Sequence, residues 1–124
     1  RWIGTRLAPM RIDDTLTTTF TVALGAALGA VVRHLVILGA APGSTAALAL
    51  TFAVNIAGCF AMGLFKPGPL WGTGFLGGLT TYSAVSVAAM QSQAIEALGI
   101  IALSYATAIG AWFAGDALRS RRNA

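Results

Sequence analysis

Apolar residues fill three long stretches of this chain and a fourth that is interrupted by glycines, while polar positions gather in the short gaps between them. A membrane-spanning helix needs about 20 predominantly apolar residues. The stretches supply them from about Thr17 to Leu38, Thr45 to Phe65, Leu70 to Met90 and Ala94 to Leu118. Turn formers fill the gaps, with Ala41-Pro42-Gly43-Ser44 after the first and Lys66-Pro67-Gly68-Pro69 after the second. The pattern predicts an all-α integral membrane protein with four transmembrane helices, organised as a segment 1–14, a four-helix domain over 15–118 and a basic tail over 119–124. Connections this short make consecutive helices antiparallel neighbours. The first run is long enough to span rather than to be removed as a leader.

The third stretch departs from a plain lipid anchor. Residues 72–86 carry four glycines (Gly72, Gly74, Gly77 and Gly78) and five hydroxyl residues besides Tyr82. Gly77-Gly78 weakens the helix, and a break is expected near it. Freed carbonyls at membrane depth are tolerated only where protein or a water-filled cavity satisfies them. The stretch therefore predicts a broken helix beside an ion or water path. Small residues elsewhere suit close helix packing: Gly25 and Gly29 on the first span, and Ala106, Gly110 and Gly115 on the fourth.

Composition agrees with the pattern. The 124 residues are 56% hydrophobic and 10% charged, too few charges to coat a soluble domain. Between Asp14 and Asp116 the only charged residues are Arg33, Lys66 and Glu96. The net charge of +4 marks cytoplasmic anchors rather than nucleic-acid binding, because the basic residues flank apolar segments. Trp2, Trp71 and Trp112 fall near span ends, where interfacial tryptophans are common. Cys59, the single cysteine, is a packing residue inside a span.

With four spans, both termini and the Lys66 loop share one side. That side holds Arg1, Arg6, Arg11, Lys66, Arg119, Arg121 and Arg122, against Arg33 alone on the other. Positive residues stay inside, so the bias predicts a fixed orientation in the cell membrane with both termini cytoplasmic.

Enzyme signatures are absent. There is one histidine, His34, no metal-binding spacing and no phosphate loop. No carboxylate lies deep in a span, which argues against a proton-coupled exporter. The spans offer neutral donors instead: Asn55 in the second, Thr80, Thr81, Tyr82, Ser83 and Ser86 in the third, and Ser104, Tyr105 and Thr107 in the fourth. Asn55 suits either an anion path or an interhelical hydrogen bond. Hydroxyls beside a break can converge on an anion, and freed carbonyls can bind a hard cation. The residues point to an ion path without choosing the ion.

Three stretches carry a resemblance. They are Gly25-Ala26-Ala27-Leu28-Gly29-Ala30-Val31-Val32-Arg33, Val54-Asn55-Ile56-Ala57-Gly58-Cys59-Phe60 and Gly74-Phe75-Leu76-Gly77-Gly78-Leu79-Thr80-Thr81. In order and spacing the chain resembles the CrcB/Fluc family of small membrane fluoride channels. The resemblance implies a dimer of antiparallel subunits, with passive fluoride flow along the interface that protects the cell from fluoride. It implies a structural sodium ion at the dimer centre on the main-chain oxygens of Gly77 and Thr80. It further implies a pore lined by Asn55, Thr81, Tyr82, Ser83, Ser86 and Ser104, with Arg33 at the pore mouth. Tyr82 and Val85 stand where the family carries two phenylalanines. That departure and the charge bias together predict one half of an antiparallel heterodimer whose partner is a homologue of opposite topology. The alternatives are a homodimeric channel and a non-conducting structural subunit of the same fold.

Overall fold

The computed structural model describes residues 11–124; Arg1, Trp2, Arg6 and the other expectations on positions 1–10 lie outside the described residues. Helix α1 spans Ile12–Ile37 and α2 spans Thr45–Phe65. A π-helical segment, Leu70–Leu76, runs into a short α3, Gly77–Leu79; α4 follows at Ser83–Met90 and α5 at Ala94–Arg122. No strand occurs among the described residues. Helices α1, α2 and α5 are each long and apolar enough to cross a membrane, and the interrupted segment from Leu70 to Met90 is the fourth span.

The second span has the predicted bounds. Ser44 caps it by accepting the Ala47 N–H at 3.1 Å, and Lys66 ends it in the left-handed region at φ 42°, just before Pro67. The first span starts earlier than predicted, at Ile12 rather than Thr17. Its threonines explain why: Thr15, Thr17, Thr19 and Thr21 each donate to the carbonyl four residues back, so their hydroxyls are satisfied within the helix. Asp13 and Asp14 in the first turn complement the helix dipole. The basic tail is not separate either. α5 continues to Arg122 and carries Arg119, Arg121 and Arg122 in its last turn, where cations favour the C-terminal dipole. At 29 residues it is roughly 43 Å long, well beyond a bilayer core of about 30 Å.

The break itself lies at Thr80–Tyr82, a few residues beyond the glycine pair near which it was expected. Gly77 and Gly78 are helical, and Thr80 is the first extended residue, at φ −79° and ψ 148°. Gly78 serves contact rather than flexibility, since a Cβ there would strike the backbone of Ala26. Upstream, the π-turns widen the helix, with the Gly74 N–H reaching back five residues to the Pro69 carbonyl at 2.8 Å.

Glycines decide which spans pair. A Cβ on Gly25 would meet the Leu70 carbonyl and Gly74, and one on Gly29 would meet Phe75, Gly78 and Leu79. α1 therefore lies along the π-helical segment and α3, the two running in the same direction. Gly63 sits against Trp112 and Asp116, and Gly115 against Phe60 and Leu64, so α2 likewise lies along α5. α1 and α2, expected as neighbours, touch little. The main pairs are alternate spans, because the close-approach glycines face those partners. On α5 only Gly115 serves in this way; Gly110 faces open space and Ala106 is exposed.

The interior is small and polar. Val85 and Ala89 are the buried hydrophobic residues, beside buried Thr51, Asn55 and Ser104 and the packed glycines. Large apolar side chains such as Phe20, Leu24, Leu35, Ile95 and Phe113 point outward. Without a hydrophobic force between helices in lipid, close packing and internal hydrogen bonds hold such a bundle. At one end Lys66 Nζ pairs with Asp116 at 2.6 Å and lies 5.4 Å from the Trp112 ring centre, tying the Lys66 loop to the end of α5.

Candidate ion site at the break in the third span

Two helices from different pairs reach the break. From α2, Asn55 Nδ2 donates to the Thr81 carbonyl at 2.7 Å, and its Oδ1 accepts the Thr81 N–H at 2.8 Å. The side chain thus acts as a peptide group for a residue that has left the helix. Asn55 is buried, and the interhelical reading of this residue is the bond that forms. One amide hydrogen remains beyond these two bonds.

From α1, Arg33 Nη1 donates to the Gly78 carbonyl at 2.8 Å and the Thr80 carbonyl at 3.3 Å. Arg33 was placed at a pore mouth on sequence; the structure brings its guanidinium onto the break. There it meets carbonyls that a helix end leaves without N–H donors. Thr80 Oγ1 turns back to the Leu76 carbonyl at 3.0 Å, and its methyl side fills the hollow left by Gly58. Thr81 Oγ1 lies 2.8 Å from Ser83 Oγ and accepts the Ser83 N–H at 3.2 Å, starting α4.

The Gly77 and Thr80 carbonyls retain free oxygen lone pairs. Gly77 is exposed and its oxygen meets only Thr80 Oγ1, at 3.5 Å. The Thr80 oxygen meets only Arg33. Oxygen-only donors are the type a hard cation takes, while the Arg33 guanidinium already holds the Thr80 oxygen.

A cavity of about 630 Å³ opens beside the Pro42–Ser44 turn and runs inward to Thr51 and Ser83. It ends next to the break, at Ser83, on the side opposite Lys66. The described residues show no cluster of His, Cys, Asp and Glu able to hold a metal.

The fold thus gathers Arg33, Asn55, Gly77, Thr80, Thr81, Tyr82 and Ser83 at one place. Ser86 is half-buried on α4 and Ser104 buried on α5, and no side-chain hydrogen bond links either to the break. Val85 is fully buried, turned into the subunit, while Tyr82 is exposed. Sequence reasoning missed Thr51 on the cavity wall and Gly58 as the seat of Thr80. Both were legible in principle, because Thr51, Asn55 and Gly58 fall at i, i+4 and i+7 on one helix face. Tyr105, named on sequence as a donor of the fourth span, packs its ring on Tyr82 with centroids 5.5 Å apart.

Comparison with known proteins agrees with this architecture. The sequence model of the family described as CrcB-like protein, Camphor Resistance (CrcB), matches residues 20–116. A relative from Corynebacterium efficiens named "Fluoride-specific ion channel FluC" is 39% identical over 88 residues, spanning 63% of this chain and 64% of the relative. "Fluoride-specific ion channel FluC 1" of Corynebacterium glutamicum is 41% identical over 97 residues, 78% of this chain and 88% of its own length. "Fluoride-specific ion channel FluC 2" of Rhodococcus jostii is 36% identical over 115 residues, 83% and 99% respectively. No solved structure matches. A multi-pass helical membrane protein, the chain belongs to the CrcB family, whose relatives carry the name of fluoride-specific ion channels.

Proposed function

We propose that the chain is a subunit of a fluoride-specific channel that lets fluoride leave the cell passively and so lowers its toxicity. The observation that carries this reading is the break at Thr80–Tyr82. There one charged donor, an amide and several hydroxyls converge beside the cavity that reaches Ser83, with no carboxylate among them to repel an anion. Such donors replace the hydration of a small anion. Asn55, Thr81, Tyr82, Ser83, Ser86 and Ser104 line its path, and Arg33 supplies the attracting charge. No carboxylate lies deep in a span to carry protons with the flow, so it follows the fluoride gradient.

Arg33 and Asn55 hold the break open by satisfying the Gly78, Thr80 and Thr81 carbonyls and the Thr81 N–H. A sodium ion bound by the Gly77 and Thr80 main-chain oxygens would add a fixed positive charge between two subunits. The exposed Gly77 face suits close approach by a second subunit there.

The assembly in this reading is an antiparallel heterodimer in the cell membrane, this chain having both termini cytoplasmic. Seven basic residues against one favour a single orientation. The contact of Lys66 with Asp116 fits the required shared side of loop and C-terminus. Relatives numbered FluC 1 and FluC 2 fit organisms that hold two such chains. Fluoride efflux from liposomes, measured with this chain alone and with a homologue of opposite charge bias, tests the reading. Efflux only with the pair is expected. Full efflux from the chain alone would refute the obligate pair, and silence in both would refute the channel.

A further inference from the structure

Between α2 and α5 an apolar groove of about 500 Å³ is lined by Leu48, Ala49, Phe52, Gly99, Ile100 and Leu103, and no residue of the break belongs to it. Thr45 and Glu96, from the first turns of the two helices, complete its lining at one end. At the opposite end of this helix pair, Gly63 and Gly115 bring the backbones together, whereas Gly99 faces open space.

The depth of Glu96 follows from helix geometry. Twenty residues of α5 separate it from Asp116, a rise of roughly 30 Å that matches a hydrocarbon core of about 30 Å. Asp116 and its partner Lys66 mark one boundary, so Glu96 lies at the other, level with the lipid headgroups. Leu103, at the far end of the groove, then reaches roughly 10 Å into the hydrocarbon. Glu96 is exposed and has no ion pair among the described residues. The basic side chain on that side, Arg33, is committed to the Gly78 and Thr80 carbonyls.

We propose that the groove is a phospholipid site, in which one acyl chain fills the apolar lining and a headgroup ammonium pairs with Glu96. The charges complement along the whole headgroup. Thr45 opens α2 and brings the positive end of that helix to the same mouth, which suits the phosphate next to the ammonium. Glu96 also favours the start of its own helix, which accounts for its charge but not for the groove beneath it. The site goes beyond the channel reading and does not rest on it, since it needs only the membrane position of α2 and α5.

The test is native mass spectrometry of the full chain, stripped of lipid in detergent and supplied with dioleoyl phosphatidylethanolamine or dioleoyl phosphatidylglycerol. The two probes share their acyl chains and differ in the headgroup. Phosphatidylethanolamine is expected to fill one saturable site per chain about fivefold more tightly, the effect of one partly exposed ion pair. Glu96→Gln should bring the two lipids level. Gly99→Leu places a side chain in the groove without meeting a neighbouring helix, so the chain stays folded and both lipids should bind about tenfold more weakly.

Equal binding of the two lipids to the unaltered chain would overturn the site. A preference retained in Glu96→Gln would also overturn it and leave the carboxylate to its own helix dipole. Binding unchanged in Gly99→Leu would place the lipid elsewhere. Loss of subunit pairing in Gly99→Leu on size-exclusion chromatography would show that a second copy of the chain covers the groove, and that too would overturn the site. Fluoride efflux is measured separately, so failure of the lipid site leaves the channel reading standing.

Discussion

Replacing Asn55 by leucine removes a side chain of similar size that makes two short bonds to one residue. The Thr81 N–H and C=O would be left without partners beside a buried position. Each stranded group costs about 1–3 kcal/mol, or roughly 2–6 kcal/mol for both. Two effects reduce the sum. Interhelical hydrogen bonds in membrane proteins average only about 0.6 kcal/mol, because the unfolded chain in the bilayer finds other partners. The break can also partly heal, letting the Thr81 N–H return to the Gly77 carbonyl as in a continuous helix. We expect Asn55→Leu to destabilise by about 2–3 kcal/mol. The measurement is reversible SDS-driven unfolding in mixed micelles, followed by tryptophan fluorescence. Thr51→Val is the control: its hydroxyl bonds only to the Ala47 carbonyl of its own helix, at 2.9 Å, so its loss should cost under about 1 kcal/mol. An Asn55→Leu cost no larger than that of Thr51→Val would refute the clamp and return Asn55 to the anion path alone.

Arg33→Gln should destabilise by about 1.5–3 kcal/mol in the same assay, the usual worth of bonds from a charged donor, and an unchanged midpoint would contradict the bonds to Gly78 and Thr80. Gly78→Ala should abolish the native fold or destabilise it strongly, whereas Gly77→Ala should leave the subunit at least as stable. A Cβ on Gly77 would meet only the Gly72 carbonyl, in ordinary contact at 3.9 Å, and helix propensity alone favours alanine there by up to about 1 kcal/mol. If Gly77→Ala keeps the subunit folded but blocks pairing on size-exclusion chromatography, a second subunit covers that face; intact pairing would show that it does not. A double-mutant cycle on Lys66 and Asp116 should give a coupling of about 1 kcal/mol or less, since both side chains are partly exposed. A coupling above about 2 kcal/mol would mean that the pair is shielded from solvent screening.

What the sequence made legible follows from the kind of signal each feature leaves. Span existence rests on apolar length, and α2 was readable to the residue because Ser44 and Lys66-Pro67 bound it. Polar threonines hid the start of α1, since their bonds to its own carbonyls leave no trace in hydropathy. Gly77-Gly78 pointed close to the break but for the wrong reason: Gly78 accommodates the Ala26 backbone, and the helix yields only at Thr80. Pairing of alternate spans was hidden, because glycine stripes announce close approach without naming the partner. The Asn55 bonds and the Tyr82–Tyr105 contact join consecutive spans, and what hid their partners was the position of the break at Thr80–Tyr82.

The pairing of alternate spans has a consequence for how the chain must assemble. During synthesis α1 enters the bilayer without the segment that covers Gly25 and Gly29, and α2 waits until the last helix for cover over Gly63. The first pair completes only when the third span arrives and the second only with the C-terminal helix, so the fully packed state arrives late. A chain cut before Ala94 would keep three of the four spans and leave the α2 side of the bundle with its small-residue face open to lipid.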